Sequence, residues 1–260
     1  MRSDGRPNDQ LRPIQITRNF TDAAAGSVLW QQGKTIVWCT ASITPDVPPW
    51  FGSKKPGGWI TADYVMLPGS TPRRKDWPAI GHTDSRGTEI QRLIGRSIRA
   101  AVELTKIGPH TIHIDCQVMQ ADGGTRTASI CGAYVALFDA VSKLPAEVPQ
   151  PKNLAPGALV PARFEPANYD PTHAIVTDLA GVSVGLVDGE IRLDLDYDDD
   201  SRAQVDMNVA YTSAGKFVEV QGSAENAGGF DRAETDRMLD LAVTGCKRII
   251  EAQRRALANK

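Results

Sequence analysis

The fold is decided by the stretch Thr111-Ile-His-Ile-Asp-Cys-Gln-Val-Met-Gln-Ala-Asp-Gly-Gly-Thr-Arg-Thr-Ala-Ser-Ile130. Its first eight residues alternate in polarity and predict a strand, whereas residues 127–142 are apolar enough for a buried helix. Gly123 and Gly124 separate the two elements. A helix start carries unpaired N–H groups and the positive end of the helix dipole, so it favours anions. The glycines allow close approach of the backbone to such an anion, and Arg126 adds a bidentate charge.

A second arginine precedes another helical repeat, in Asp84-Ser85-Arg86-Gly87. Apolar residues then recur at the spacing of one helix face between residues 88 and 104, at Ile90, Leu93, Ile94, Ile98, Ala101 and Val102. Two arginines at helix starts suggest a clamp for one phosphate. On local physics alone, ordinary helix caps with solvated arginines are an equally good interpretation.

The remaining elements follow from alternation and turn residues. Residues 26–30 and 35–41 predict a hairpin, and residues 45–58, with four prolines and three glycines, predict an irregular loop. Four later strands are expected at residues 174–187, 191–196, 205–212 and 217–222. Asp231 and Glu234 resemble a capping box. The helix that follows places these apolar residues on one side: Met238, Leu241, Ala242, Ile249 and Ile250.

This order of strands and helices predicts an α+β fold with two β-rich halves, each ending in a helix. We expect residues 1–143 to form the first half and residues 173–260 the second, within one compact unit. Residues 144–172 are a connector with prolines at 145, 149, 151, 156, 161, 166 and 171, which exclude a helix or a central strand.

Composition places the chain among soluble globular proteins. Of its 260 residues, 41% are hydrophobic and 23% are charged. No apolar run approaches the roughly 18 residues that span a bilayer, and the polar N-terminus lacks a signal-peptide core. The four cysteines have no C-x-x-C spacing, so we expect reduced core residues rather than a zinc site or disulfides. A cytoplasmic protein is expected.

Charge is distributed unevenly, although the formal net charge is only −2. Residues 1–126 carry 16 Lys and Arg against 11 Asp and Glu, and the rest carries 13 against 20. A basic half can hold phosphates while an acidic half holds a metal ion. Unrelated proteins can show the same asymmetry, so it permits an RNA enzyme without indicating one.

Several long motifs resemble those of the ribonuclease PH family, in the order of that family and from residue 2 to about the end of the last helix. They are Arg2-Ser-Asp-Gly-Arg-Pro-Asn-Asp-Gln-Leu-Arg-Pro13, Gly26-Ser-Val-Leu29, Val47-Pro-Pro49, Ser85-Arg-Gly-Thr-Glu-Ile-Gln-Arg-Leu-Ile-Gly-Arg-Ser97, the stretch 115–130, Asp200-Ser201 and Asp206-Met-Asn208. The resemblance implies a fold like domain 2 of ribosomal protein S5. It also implies a phosphorolytic 3′→5′ exoribonuclease that trims transfer RNA 3′ ends and reversibly releases nucleoside diphosphates.

Two other functions stay open beside this one. The first is a non-catalytic RNA-binding ring subunit of an exosome-like assembly. Such subunits tend to lose the clamp arginines or the aspartates, whereas this chain keeps all four. The second is a small-molecule phosphotransferase, which would not need the basic loop at Arg73, Arg74 and Lys75.

The resemblance assigns two groups of site residues. Arg86, Gly124, Thr125 and Arg126 match the inorganic-phosphate site, and Asp200 and Asp206 match the catalytic carboxylates that hold Mg²⁺ or Mn²⁺. The two carboxylates share a face if the strand extends back to Asp200. Most of their acidic neighbours, among them Asp194, Asp196, Asp198 and Asp199, are expected in a solvated turn.

Basic side chains outside the clamp are candidates for RNA contact. Arg73, Arg74 and Lys75 form an exposed-looking loop beside Trp77, suited to backbone contact and base stacking. Arg92, Arg96 and Arg99 form a helical stripe, which is more often a solvated face. In the family this helix lies near a central channel, and the resemblance implies a homo-hexamer built as a trimer of dimers. His82 is expected to be a packing or hydrogen-bonding residue rather than a catalytic one.

Overall fold

The computed structural model describes residues 2–52, 57–77, 85–144, 171–225 and 228–258. His82, Asp84 and most of the proline-rich connector lie outside these ranges. The described strands are β1 (Ile14–Arg18), β2 (Gly26–Gln32), β3 (Thr35–Thr44), β4 (Trp59–Met66), β5 (Thr111–Gln120), β6 (Leu179–Val187), β7 (Glu190–Leu193), β8 (Ala203–Thr212) and β9 (Phe217–Ala224). The helices are α1 (Pro49–Gly52), α2 (Ser85–Ala100), α3 (Thr125–Val141), α4 (Tyr197–Arg202) and α5 (Arg232–Ala258).

The first sheet has the order β1-β2-β3-β5-β4. The predicted hairpin is confirmed, since β2 and β3 pair antiparallel with Gly26 opposite Ala41. Among the described strands of this sheet, only β4 and β5 pair in parallel, and the chain between them passes through α2. Sequence analysis missed β1 and β4, although β4 carries the expected alternation, with Ile60, Ala62 and Tyr64 buried.

The second sheet is antiparallel and has the order β7-β6-β8-β9. All four predicted strands exist, but β6 begins at Leu179 because Pro171–Ala174 form a 3₁₀ turn. Likewise, α2 ends at Ala100, and a 3₁₀ turn at Leu104–Ile107 follows. Together, the two sheets and the helices confirm the predicted α+β class.

Helix α3 joins the two sheets into one core. Fifteen of its seventeen residues are buried, because it contacts β2 and β3 of the first sheet and β6 of the second. A helix that is apolar on all sides must be covered on all sides. Close approach depends on glycine: a Cβ at Gly26 would lie 1.9 Å from the carbonyl oxygen of Ala136. The four cysteines are free and buried, as predicted.

The acidic stretch around α4 corrects two expectations. Asp194 and Asp199 are each 1% exposed and Asp196 is 6% exposed, so these three do not form a solvated turn. Asp200 belongs to α4, and β8 starts only at Ala203, so the strand does not extend back to Asp200. The Asp196 side chain caps α4 by accepting from the backbone N–H of Asp199 at 2.9 Å.

Arginines from the N-terminal segment, residues 2–13, explain this burial. Arg2 lies 2.7 Å from Asp199, and Arg12 lies 2.7 Å from Asp194. Arg192 pairs with the other oxygen of Asp199 at 2.6 Å. Buried charges persist only when they are paired and hydrogen-bonded, so these arginines keep the acidic stretch inside the protein.

The last helix behaves as predicted. Asp231 and Glu234 form the capping box, each side chain accepting from the other residue's backbone N–H, at 2.8 and 2.9 Å. Met238, Ala242, Ile249 and Ile250 are buried, while Leu241 is partly buried against the same core. Within the described ranges, none of the helices is both long and apolar enough to cross a membrane.

The contact between β2 and α3 generates a stability prediction. We expect Gly26→Ala to lower the free energy of unfolding by about 1–3 kcal/mol or more, because the added methyl overlaps backbone that cannot move alone. Gly69→Ala is the matched control, since its Cβ would meet nothing within 4 Å in an ordinary backbone conformation. Urea denaturation of both variants checks this, and equal stabilities would contradict the packing argument.

Candidate active site

A polar cleft brings together two groups of predicted site residues. We call Arg86, Gly124, Thr125 and Arg126 the clamp, and Asp200 and Asp206 the acidic pair. The cleft consists of two adjoining cavities, of about 550 and 880 Å³. Both cavities are lined by the same five residues, namely Arg86, Arg126, Asp200, Asp206 and Asn208. Gly124 and Thr125 line the smaller cavity. Residues from both halves of the chain therefore face one space.

The loop between β5 and α3, residues 121–124, requires its two glycines. Gly123 and Gly124 have φ values of 73° and 65°, in the left-handed region that favours glycine. A Cβ at Gly123 would lie 2.6 Å from the carbonyl oxygen of Leu195. We call residues 121–124 the glycine loop. Its tight path leaves the start of α3 open to the smaller cavity.

Thr125 and Arg126, the first residues of α3, are held by neighbouring side chains. The Thr125 hydroxyl lies 2.9 Å from the Tyr64 hydroxyl, and burial raises the pKa of Tyr64. Arg126 donates to Gln221 at 2.9 Å and to Glu89 at 3.3 Å. These contacts orient the Arg126 guanidinium before any anion binds.

The two carboxyl groups of the acidic pair have raised pKa values. Burial raises the pKa of Asp200, although the nearby Arg86 and Arg126 oppose the shift. Burial, followed by the charge of Asp200, raises the pKa of Asp206 to about 6. Carboxyl groups with raised pKa values in a cleft are typical of groups that exchange protons or bind cations.

The carboxylates of Asp200 and Asp206 fit a divalent cation only if oxygen atoms of the substrate and water complete its coordination. Within the described ranges, no cluster of three or more His, Cys, Asp or Glu side chains could hold a metal ion. Two carboxylates with mutual repulsion are nevertheless the protein ligands that Mg²⁺ takes when phosphate oxygens and water supply the rest. Asp200 and Asp206 are such a pair.

The predicted basic loop reaches the cleft in part. Arg73 and Lys75 line the smaller cavity together with Thr125 and Arg126. Arg74 instead pairs with Asp76 at 3.1 Å on the surface. The loop therefore adds two cations to the lining of the smaller cavity.

The arginine stripe on α2 does not line the cleft. Arg96 pairs with Glu219 of β9 at 3.1 Å. Arg99 donates to the carbonyl oxygen of Ile60 at 3.0 Å and lies 4.6 Å from the Trp59 ring centroid. Arg92 is exposed. Two of the three arginines thus already have partners within the chain.

Sequence analysis missed several residues of the cleft. Tyr197 is 66% exposed and lines the smaller cavity with Ser183. Glu89 and Gln221 line the larger cavity and hold Arg126. Glu89 follows Arg86 by one helical turn, a spacing that could have marked it. Gln221 could be found only from strand register, which pairs it with Asn208.

Comparisons with known proteins agree with the motifs. Residues 10–143 match domain 1 of the 3′ exoribonuclease family, and residues 179–245 match its domain 2. The chain is 49% identical over 259 residues to proteins named Ribonuclease PH from Nocardia farcinica and Rhodococcus erythropolis. The alignments cover 99% of this chain and 92% and 91% of those proteins.

Solved structures share the fold at low identity. Rice Rrp46 has a TM-score of 0.75 at 18% identity, over 99% of this chain and 100% of that one. The Archaeoglobus fulgidus exosome, solved with RNA bound to the active site, has a TM-score of 0.73 at 22% identity, over 96% and 92%. These likenesses concern the fold alone, and they confirm the ribosomal-protein-S5-like fold that the family resemblance implies.

The raised pKa of Asp206 generates a prediction for metal-free protein. Between its ordinary pKa of 3.8 and the folded value of about 6, the folded protein binds this proton more tightly than the unfolded chain does. Protonation of Asp206 therefore stabilises the folded protein fully below the unfolded-chain pKa of 3.8. This stabilisation is lost as pH rises through the folded-state pKa of about 6. We expect Asp206→Asn to gain stability relative to wild type across that interval. Denaturation with EDTA present measures this, and a pH-independent difference would contradict it.

Proposed function

The chain belongs to the 3′ exoribonuclease family, and we propose that it trims the 3′ ends of transfer RNA precursors in the cleft between its two halves. It is a phosphate-dependent 3′→5′ exoribonuclease. The observation that supports the cleft as its site is the meeting of two arginines, a helix start and two carboxylates. Phosphorolysis needs these groups, because two phosphates must approach each other against their repulsion.

The reaction itself is an exchange at one phosphorus atom. An oxygen of inorganic phosphate attacks the last phosphodiester, and the bond from phosphorus to the preceding 3′ oxygen breaks. A nucleoside diphosphate leaves, and the shortened RNA gains a proton on its new 3′ hydroxyl. Because a phosphoanhydride bond replaces the phosphodiester, the transfer is reversible.

The phosphate clamp would supply position and charge. We assign Gly124 and Thr125 to hold the attacking phosphate at the start of α3. Arg86 and Arg126 would neutralise its negative charge. Glu89 and Gln221 already orient Arg126, so little reorganisation is needed at the moment of reaction.

The acidic pair would act on the leaving side. We assign Asp200 and Asp206 both as catalytic residues and as the ligands of Mg²⁺ or Mn²⁺, which when bound neutralises charge that develops on the reacting phosphate. One of the two carboxylates would also assist the proton that reaches the leaving 3′ oxygen.

The RNA body would contact the basic loop and surfaces beyond it. Arg73 and Lys75 stand at the cavity rim, and Arg74 is exposed beside them. We keep the stripe Arg92, Arg96 and Arg99 as a proposed RNA contact. Arg92 is exposed and would contact RNA directly, whereas Arg96 and Arg99 would exchange Glu219 and Trp59 for RNA.

Assembly and location are part of the proposal. We propose a homo-hexamer built as a trimer of dimers, in the cytoplasm, acting on transfer RNA precursors and other RNA 3′ ends, including ribosomal RNA. Closed symmetry is the general preference of soluble oligomers. The described helices give no membrane span, and a likeness in fold to an archaeal exosome core is compatible with a ring.

The test combines substrate and variant. A transfer RNA precursor with extra 3′ nucleotides is incubated with Mg²⁺, with and without phosphate, and product lengths are read on a gel. We expect trimming by the wild type only with phosphate. Arg126→Ala should lower turnover by about 10²–10³-fold, because it removes a charge aimed at the reacting phosphates.

The control is Arg232→Ala, which breaks an exposed ion pair with Asp236 on α5, outside the cleft. It should trim at the wild-type rate. Binding of the precursor, measured without phosphate by filter retention, should be similar in all three proteins. Near wild-type turnover by Arg126→Ala at limiting phosphate would contradict the clamp.

The basic loop generates a separate prediction. Each contact to a single-stranded RNA phosphate contributes about 0.7 to the log–log salt slope of the binding constant. The double variant Arg73→Ala/Lys75→Ala should therefore flatten that slope by about 1.4 for single-stranded RNA. The matched control Lys106→Ala/Lys143→Ala removes two exposed cations outside the cleft and should leave the slope unchanged. Equal slopes in all three proteins would exclude the loop as an RNA contact.

A further inference from the structure

Arg12 links the two halves at the glycine loop. It is 4% exposed, and its Nε and Nη2 donate to Asp194 Oδ1 at 3.1 and 2.7 Å. Its backbone N–H donates to the other oxygen of Asp194 at 2.7 Å. On the opposite side, its Nη1 donates to the carbonyl oxygen of Asp122 at 2.5 Å, and Nη2 lies 3.5 Å from that of Gly123. One guanidinium therefore bridges a carboxylate of the second half and the phosphate-binding loop of the first.

Asp194 is held in a costly conformation to make this bridge. Its φ is +55°, in the left-handed region that non-glycine residues rarely adopt, and its side chain is buried. Burial alone would raise the pKa of Asp194, but the charge and hydrogen bonds of Arg12 outweigh it and lower that pKa. A strained residue persists only where its surroundings fix it, and such residues cluster at functional sites.

Space for the Arg12 side chain is provided by two glycines. A Cβ at Gly33 would lie 2.6 Å from Arg12 Cδ, and a Cβ at Gly124 would lie 2.9 Å from Arg12 Nη2. Both glycines have positive φ. The chain thus makes room for an arginine directly against the loop that precedes α3.

Thr35 holds the same loop independently. Its hydroxyl donates to the carbonyl oxygen of Gly123 at 2.7 Å and accepts from the backbone N–H of Asp122 at 3.0 Å. Arg12 and Thr35 together engage the polar backbone groups of Asp122 and the carbonyl of Gly123. The first N–H groups of α3, which have no partner within a helix, are left for an anion.

We propose that Arg12 and Asp194 are positioning residues of the phosphate site, which fix the glycine loop without contacting phosphate. A buried ion pair adds little net stability compared with apolar residues of similar volume, so its value here lies in where it holds the loop. This inference rests on the proposed function, because it is phosphate whose binding depends on the loop. Arg12 Nη2 lies 3.5 Å from the carbonyl oxygen of Gly123, next to Gly124, so a small displacement of the pair would shift the loop that holds the phosphate.

The test compares the KM for phosphate with the KM for RNA in variants of Arg12. Arg12→Lys keeps the charge but cannot bond Asp194 and both carbonyls at once. We expect the KM for phosphate to rise by about 10- to 100-fold while the KM for RNA stays unchanged, with kcat recovering at high phosphate. The matched control is Arg18→Lys, which replaces another arginine bonded both to an aspartate, Asp139, and to carbonyl oxygens, here at the end of α5. Its KM for phosphate should not change.

A second variant covers the case in which Arg12→Lys does not fold. Thr35→Val keeps shape but removes both hydrogen bonds to the glycine loop, and it should raise the KM for phosphate in the same selective way. Folding is checked by thermal unfolding. If the wild type shows no phosphate-dependent turnover, the proposed function fails. If the wild type is active but the folded variants match Arg18→Lys in both Michaelis constants, the positioning role is overturned.

Discussion

The buried ion pair between Arg12 and Asp194 is the contact on which the site depends. Its members lie 182 residues apart in sequence, and their atoms are 2.7 Å apart. Removing one partner of such a pair leaves a buried charge uncompensated, which typically costs about 3–5 kcal/mol. The pair therefore stabilises the contact between the second half and the glycine loop, which lines the smaller cavity.

Charge in the cleft is arranged for a reaction between two phosphates. Arg86 and Arg126 supply positive charge from the first half, and Asp200 and Asp206 supply negative charge from the second. Under the proposed function neither pair would suffice alone, because the arginines would hold phosphate while the leaving oxygen would also need a proton and a cation. Placing the pairs on different halves makes catalysis conditional on correct docking of the two sheets.

Local patterns predicted what local forces determine. The hairpin of β2 and β3, the amphipathic α2, the buried α3 and the capping box of α5 all follow from periodicity and capping. The prediction of a solvated turn at Asp194 and Asp199 was wrong because their burial depends on arginines near the N-terminus, which no local pattern reveals. Gln221 was missed for a similar reason, since its place in the cleft depends on the strand register that pairs it with Asn208. The division of the chain at residues 143 and 173 stays a prediction, as do the roles of the site residues.

The central claim is that inorganic phosphate, held at the start of α3, attacks the RNA. The most direct measurement uses ³³P-labelled orthophosphate with an unlabelled RNA and identifies the released nucleotide by chromatography. The account predicts nucleoside diphosphate whose label lies entirely in the terminal phosphate, with one label per nucleotide released. Unlabelled nucleoside monophosphate, formed at the same rate without phosphate, would show that water is the attacking group and would contradict the account.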